Sequence, residues 1–182
     1  MQRLLVIFDL DETLVYGAEA PLDRPCDFMA GDQYFVYRRP YVGELLADCL
    51  QAFDVAVWTS AGSDYGLEVV KALFPDPARL KFVWARERCT WRPDHESGVT
   101  HWVKNLKKVK VAGYDLGRVL MVDDSREKLK LQYGNHILVR SYLGAPRDDE
   151  LPALRRYLKL LDPVEDVRRV EKRTWRQRVT PT

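Results

Sequence analysis

Three short, largely apolar runs, Leu4 to Phe8, Phe53 to Trp58 and Val119 to Val122, set the limits on the architecture, because each ends abruptly in acidic or hydroxyl residues. Runs this short are too brief for core helices. Apolar along most of their length, they fit strands covered on both faces of a parallel sheet. The stretches between the first two runs and after the second have helical period: Val42 to Leu50 follows Arg39-Pro40, and Tyr65 to Phe74 has Ser63 or Asp64 as N-cap and Pro75 as stop. Strands alternating with helices predict an α/β fold built from right-handed crossovers. Residues 80–103 break the rhythm, since the short aromatic pieces FVWA and RCTW predict a small β insertion. Ile137 to Val139 predicts a further strand and Asp149 to Leu161 an amphipathic helix stopped by Pro163. Residues 164–182 carry many charges and few apolar anchors, so they read as a charged helix docked on one edge or as a tail.

With 182 residues, 46% hydrophobic and 31% charged, the chain has the apolar supply of one core, and a single domain over residues 1–182 is expected. A net charge of +2 does not by itself demand an anionic partner. Cys26, Cys49 and Cys89 are odd in number and widely spaced, which argues against a disulfide framework or a zinc ribbon. His95, His101 and His136 lack metal-ligand spacing, so structural or surface roles are expected for them. The apolar run at the N-terminus meets acids too soon for a signal peptide. A soluble, cytoplasmic protein without a membrane segment is the expectation.

Ligands of open α/β sheets bind at the carboxyl ends of the strands, where all three runs place reactive groups. After the first run come Asp9-Leu10-Asp11-Glu12-Thr13. Side chains two apart on an extended segment face the same way, so Asp9 and Asp11 share one small volume. Such a pair can divide labour, one ionised as nucleophile and the other, with raised pKa, as proton donor. The competing reading is an acidic exit from a strand with Thr13 as helix cap. Thr59 and Ser60 follow the second run, where hydroxyls and backbone N–H groups before a helix suit phosphate, though Ser and Thr are also common N-caps. Asp123 and Asp124 follow the third. Four carboxylates at one edge repel unless a cation sits among them, and Mg²⁺ is the hard, oxygen-seeking ion that fits. A cationic side chain is also needed near phosphoryl oxygens, but Lys104, Lys107, Lys108 and Lys110 remain open alternatives on local pattern alone.

The segments DLDETLV, RRP, WTSA, WVKNL and VDDS, in this order and spacing, resemble the TFIIF-associating and small CTD phosphatase family of the haloacid-dehalogenase superfamily. The resemblance runs from about Leu4 to near Val170. It implies a Rossmann-like parallel sheet flanked by helices, with no large cap, and a Mg²⁺-dependent phosphomonoester hydrolase working through an aspartyl phosphate. Asp9 matches the nucleophile and Asp11 the acid/base residue, whose carbonyl also touches the metal. Thr59 matches the phosphoryl-binding hydroxyl and Lys104 the lysine that neutralises nucleophile and phosphoryl oxygen. Thr13, as a positioning residue, and Ser60 complete the expected substrate-binding set, while Asp9, Asp11, Asp123 and Asp124 form the expected metal set. The chain departs from the family in having Asp123-Asp124 where Asp-Asn is common, which keeps an oxygen ligand and adds a charge.

An open site without a lid suits phosphate on a macromolecule, and the resemblance favours phosphoserine or phosphothreonine in a flexible protein segment. Three alternatives come with it, one being a small-molecule phosphatase of the same mechanism. A nucleic-acid end phosphatase would use the cluster Arg168, Arg169, Lys172, Arg173, Arg176 and Arg178, which also reads as a solvated face. A non-enzymatic receptor, as among relatives in mitochondrial import, would have lost parts of the acidic motif that this chain keeps. Residues 92–98 lengthen the insertion relative to the family, and Trp84, Trp91 and Trp102 are expected to pack as core rather than to form a recognition platform. The Gly17 to Tyr37 segment reads as a loop or short hairpin at the mouth of the site.

Overall fold

The computed structural model describes residues 2–93 and 100–179. The elements in chain order are β1 (Leu5–Phe8), β2 (Val15–Ala18), β3 (Phe28–Ala30), β4 (Tyr34–Arg38), α1 (Val42–Ala52), β5 (Asp54–Trp58), α2 (Ser63–Leu73), β6 (Val83–Trp84), β7 (Thr90–Pro93), β8 (Thr100–Val103), α3 (Lys107–Val111), β9 (Val119–Asp123), β10 (His136–Leu138) and α4 (Glu150–Leu161). The main sheet has the order β10-β9-β1-β5-β6, and every pairing in it is parallel.

Period-two alternation in β1 builds both layers. Leu4, Val6 and Phe8 join Leu45 and Leu46 of α1, Val70 of α2 and Leu154 and Leu158 of α4 in one core. Leu5 and Ile7 point the other way, toward Trp58, Leu106, Val109, Met121 and Leu129. All four residues of β1 are fully buried, as a strand covered on two faces must be. Among the described residues, no helix is long and apolar enough to cross a membrane.

Several local expectations are corrected. The insertion expected over residues 80–103 divides, because Val83–Trp84 pairs with β5 as the fifth strand of the main sheet and only β7 and β8 form a separate hairpin. A two-residue strand carries too little pattern to reveal this. Trp84 packs inward, stacked on Phe82 at 4.1 Å and edge-on to Trp58 at 5.0 Å. Trp91 and Trp102, by contrast, are directly opposed across the strand pair and stay 66% and 38% exposed, since no element among the described residues covers that face. Residues 94–98 of the expected lengthening, His95 among them, lie outside the described residues.

The Gly17 to Tyr37 segment forms a second, antiparallel sheet of order β2-β4-β3 rather than a loop or lone hairpin. Gly62, extended at φ −64° and ψ 155°, caps α2 in place of Ser63 or Asp64, which fall inside its first turn. Neither a docked helix nor a tail describes residues 164–179. They run in short turns pinned by buried Val167 and Trp175, whose indole N–H donates to the Leu138 carbonyl at 2.8 Å and whose ring lies 5.5 Å from Tyr157. Isolated apolar anchors without a period leave no helical signature.

Candidate active site

From β1 the chain builds outward on one side through β5 and β6, then crosses to β9 and β10 on the other. The sheet therefore changes direction at β1 and β9, and the crevice at their carboxyl ends is the expected binding place of such a fold. Asp9 continues β1 into it, its N–H bonded to the Val122 carbonyl at 3.0 Å. Beyond it the chain turns back through Glu12, which holds a left-handed φ of 60° while its N–H reaches the Val15 carbonyl at 2.7 Å. That turn brings Asp11 to the lip of the crevice.

Asp9 is buried, and each of its oxygens is claimed. Oδ1 accepts from the Leu10 N–H at 2.8 Å and from Lys104 Nζ at 2.9 Å, and Oδ2 accepts from Lys128 Nζ at 2.7 Å. Burial alone would raise its pKa, but the two ammonium groups outweigh that and hold the carboxyl far below its ordinary range. Lys104, fully buried, also binds Asp123 Oδ2 at 2.6 Å. Asp123 is buried at the end of β9, and burial together with the charge of Asp9 pushes its pKa up against the pull of both lysines. Its remaining oxygen accepts from the Ser125 N–H at 2.9 Å, and His136 Nε2 lies 2.9 Å from its carbonyl oxygen.

Asp11 differs from Asp9 in the way that acid/base work requires. Burial and the neighbouring Asp9 charge raise it to about 6, against a hydrogen bond from the Tyr65 hydroxyl to Oδ1 at 2.5 Å. Two carboxylates of one motif are thus pushed apart, one ionised throughout the neutral range and one titrating close to it.

Thr59 is buried at the end of β5, where its Oγ1 accepts from the Ala61 N–H at 3.0 Å, leaving the hydroxyl hydrogen for another acceptor. Ser60 is half-buried beside it, its carbonyl held by Arg86 Nε at 2.8 Å. Thr13 is fully buried, with its carbonyl taken by Arg39 Nη1 at 3.1 Å and its own hydroxyl unpartnered among the described residues. Asp124 reaches the same edge, its Oδ2 accepting from Ser141 at 2.7 Å. One oxygen from each of Asp9, Asp123 and Asp124 falls within 4.8 Å of the others, an all-carboxylate donor set that fits a hard divalent cation. The fold thus brings Asp9, Asp11, Thr59, Lys104, Asp123 and Asp124 to one crevice.

Two participants escaped sequence reasoning. Lys128, on the turn Glu127–Leu129, lies within Ser125-Arg126-Glu127-Lys128, a charged run that looks solvated, and the apolar Leu129 beside it is the one local hint that the turn docks. Tyr65 reads as an ordinary core-facing residue of α2. Of the lysines left open by local pattern, Lys104 is the one in the crevice, while Lys108 instead donates to the Arg88 carbonyl at 2.7 Å. Beside Asp11 the crevice opens into a cleft of about 260 Å³, lined by Tyr16, Gly17, Tyr34, Tyr65 and Arg86.

A parallel sheet whose switch point carries paired carboxylates and a buried lysine has the fold of the haloacid-dehalogenase phosphatases. Fcp1, an essential RNA polymerase II CTD phosphatase, superposes with a TM-score of 0.60 at 16% identity, over 93% of this chain and 59% of that one. The NLI interacting factor-like phosphatase family model matches residues 4–168, and the chain belongs to that family. It is 28% identical over 172 residues to CTD small phosphatase-like protein 2 of Dictyostelium discoideum, covering 91% of this chain and 29% of that protein. It is 30% identical over 173 residues to the human carboxy-terminal domain RNA polymerase II polypeptide A small phosphatase 1, covering 91% and 62% respectively.

Proposed function

We propose that the chain hydrolyses phosphate monoesters on phosphoserine or phosphothreonine of a protein segment, through an aspartyl phosphate on Asp9 and with Mg²⁺ as cofactor. The observation that carries this reading is the opposed behaviour of Asp9 and Asp11, one held ionised by two lysines and the other raised to about 6. Asp9 attacks phosphorus in line, forming the acyl–phosphate bond as the ester P–O bond breaks, and protonated Asp11 gives its proton to the departing serine or threonine oxygen. Asp11, now ionised, takes a proton from water as the water attacks the aspartyl phosphate, which returns Asp9 and releases inorganic phosphate. Lys104 stays against Asp9 throughout, and the Thr59 hydroxyl is placed to hold a phosphoryl oxygen. Asp9, Asp123 and Asp124, with the Asp11 backbone, would hold the magnesium. When bound, it supplies charge stabilisation at the phosphoryl oxygens.

A protein substrate is supported by the cleft, which no lid covers among the described residues and which a small metabolite would leave largely solvated. Arg86 on its rim lies 5.9 Å from the exposed Trp102 ring, extending a cationic and aromatic surface away from the crevice. The names of the relatives, which are phosphatases of a polymerase segment, point the same way. The nucleic-acid reading lacks a comparable observation: Arg168 is paired with Asp166 at 2.8 Å, Arg173 with Glu171 at 2.6 Å and Arg176 with Asp149 at 2.9 Å. These three arginines already have acidic partners within the fold.

The test is phosphate release from a panel of phosphoserine and phosphothreonine peptides, a small aryl phosphate and nucleic acids with terminal phosphates, each with Asp9→Asn as control. Peptides should turn over fastest, chelator should stop turnover, and Asp9→Asn should lose at least about a thousandfold while staying folded. An Asp9→Asn protein at normal rate would remove Asp9 from the nucleophile's role.

A further inference from the structure

The two lysines of the crevice divide the oxygens of the acids between them. Lys104 takes Asp9 Oδ1 at 2.9 Å and Asp123 Oδ2 at 2.6 Å, while Lys128 takes Asp9 Oδ2 at 2.7 Å and stands 3.8 Å from Asp123 Oδ1 and 4.0 Å from Asp124 Oδ1. Lys104 thus lies on one side of the Asp9–Asp123 pair, and Lys128 on the other, with Asp124. Lys128 stands within 4.0 Å of all three acids that each bring an oxygen within 4.8 Å of the others, a spacing close enough for a metal ion.

We infer that the Lys128 ammonium and a divalent cation are alternative occupants of one seat, so that Lys128 sets the magnesium affinity of this centre. The inference rests on the magnesium reading above. A Mg²⁺ ion draws its oxygen ligands to about 2.0–2.1 Å. An ammonium 2.7 Å from Asp9 Oδ2 and a Mg²⁺ ion on the same oxygen would stand only about 4 Å apart, and two cations that close in a buried site repel enough to compete.

The surroundings allow an exchange. The Lys128 backbone is fixed, because its carbonyl accepts from the Lys104 N–H at 2.8 Å and the adjacent Leu129 is fully buried. Its side chain, on a flexible four-carbon stem, is 22% exposed and so has a way out. Lys104 is wholly enclosed and has none. The Lys104 ammonium is therefore the permanent counter-ion and the Lys128 ammonium the displaceable one. Neutralising the acids with a tethered cation keeps them from repelling one another, and the cost is that every magnesium ion must first move it aside.

The experiment is a calorimetric titration of Mg²⁺ into the full chain and into Lys128→Met and Lys128→Gln, paired with melting temperatures in chelator and in magnesium. Both variants should bind Mg²⁺ about tenfold tighter or better, a coupling of ordinary size for two competing ligands. They should also melt lower than the native chain in chelator and recover in magnesium. A lysine that merely props up the site would give the opposite sign, weaker metal binding on removal. Unchanged or weaker affinity in both variants, with binding intact in the native chain, overturns the inference and leaves the magnesium reading standing. Absence of binding in native and variant chains alike removes the seat itself, and with it both readings.

Discussion

The Tyr65 hydroxyl donates to Asp11 Oδ1 across 2.5 Å, and so a helix residue outside every acidic motif governs the second carboxylate of the first. Burial and the Asp11 charge raise the Tyr65 pKa well above its ordinary value, which keeps the phenol protonated and a donor. Gly17 makes the contact possible, because a Cβ there would stand 2.5 Å from the Tyr65 hydroxyl oxygen.

Losing that donor should make Asp11 a weaker acid. A hydrogen bond to the ionised form lowers a carboxyl pKa, so Tyr65→Phe should shift the Asp11 limb of the pH–rate profile upward by about one unit. Gly17→Ala should shift it the same way with the phenol still present, by forcing it off Asp11. Initial rates of phosphate release between about pH 5 and pH 8 report this directly. An unmoved or acid-shifted limb in Tyr65→Phe would break the link.

Magnesium should stabilise the protein more above pH 6 than below it. Asp9 is depressed in the fold, so its stabilisation is complete above the ordinary 3.8 and is lost only as pH falls below that. Asp11 is raised to about 6, and Asp123 is raised as well, so the fold binds more protons there than the unfolded chain and loses stability as pH climbs from about 4 to about 6. A cation held by the Asp123 carboxylate repays the Asp123 share of that loss, and only where Asp123 is ionised. The rise in melting temperature on adding magnesium should be clearly larger at about pH 7.5 than at about pH 5. Equal shifts at both would contradict the assignment of Asp123 to the seat.

Arg39 is a structural arginine whose loss should be costly. Its buried guanidinium makes two 2.9 Å bonds to Asp148 and a 3.1 Å bond to the Thr13 carbonyl, tying the turn after Asp9 to the approach of α4. Arg39→Met should destabilise by about 2–4 kcal/mol, because it leaves Asp148 and a buried carbonyl without their partner. In urea the midpoint should fall with the slope unchanged. Adding Asp148→Leu should recover part of the loss, and a single variant as stable as the native chain would show the pair to be incidental.

The parallel sheet was legible because β1, β5 and β9 are buried on both faces, which writes short apolar runs into the chain. At the edges, β10 was legible in Ile137 to Val139, but β6 and the second sheet were not. β6 has two residues, and the second sheet is assembled from strands of three to five residues interrupted by Gly and Pro. Too short to show a period, they form only because tertiary neighbours complete them.

The crevice divides along the same line. Asp9, Asp11, Thr59, Asp123 and Asp124 follow apolar runs directly, and parallel strands bring their carboxyl ends to one edge, so their meeting was fixed by the chain itself. Lys104 needed the family resemblance to be singled out from its neighbours. Lys128, Tyr65 and Gly17 reach the acids from a turn, a helix and a second sheet. A lysine in a charged run or a tyrosine on a helix leaves the same local pattern whether it meets water or a carboxylate, and only the packing of distant segments settles which.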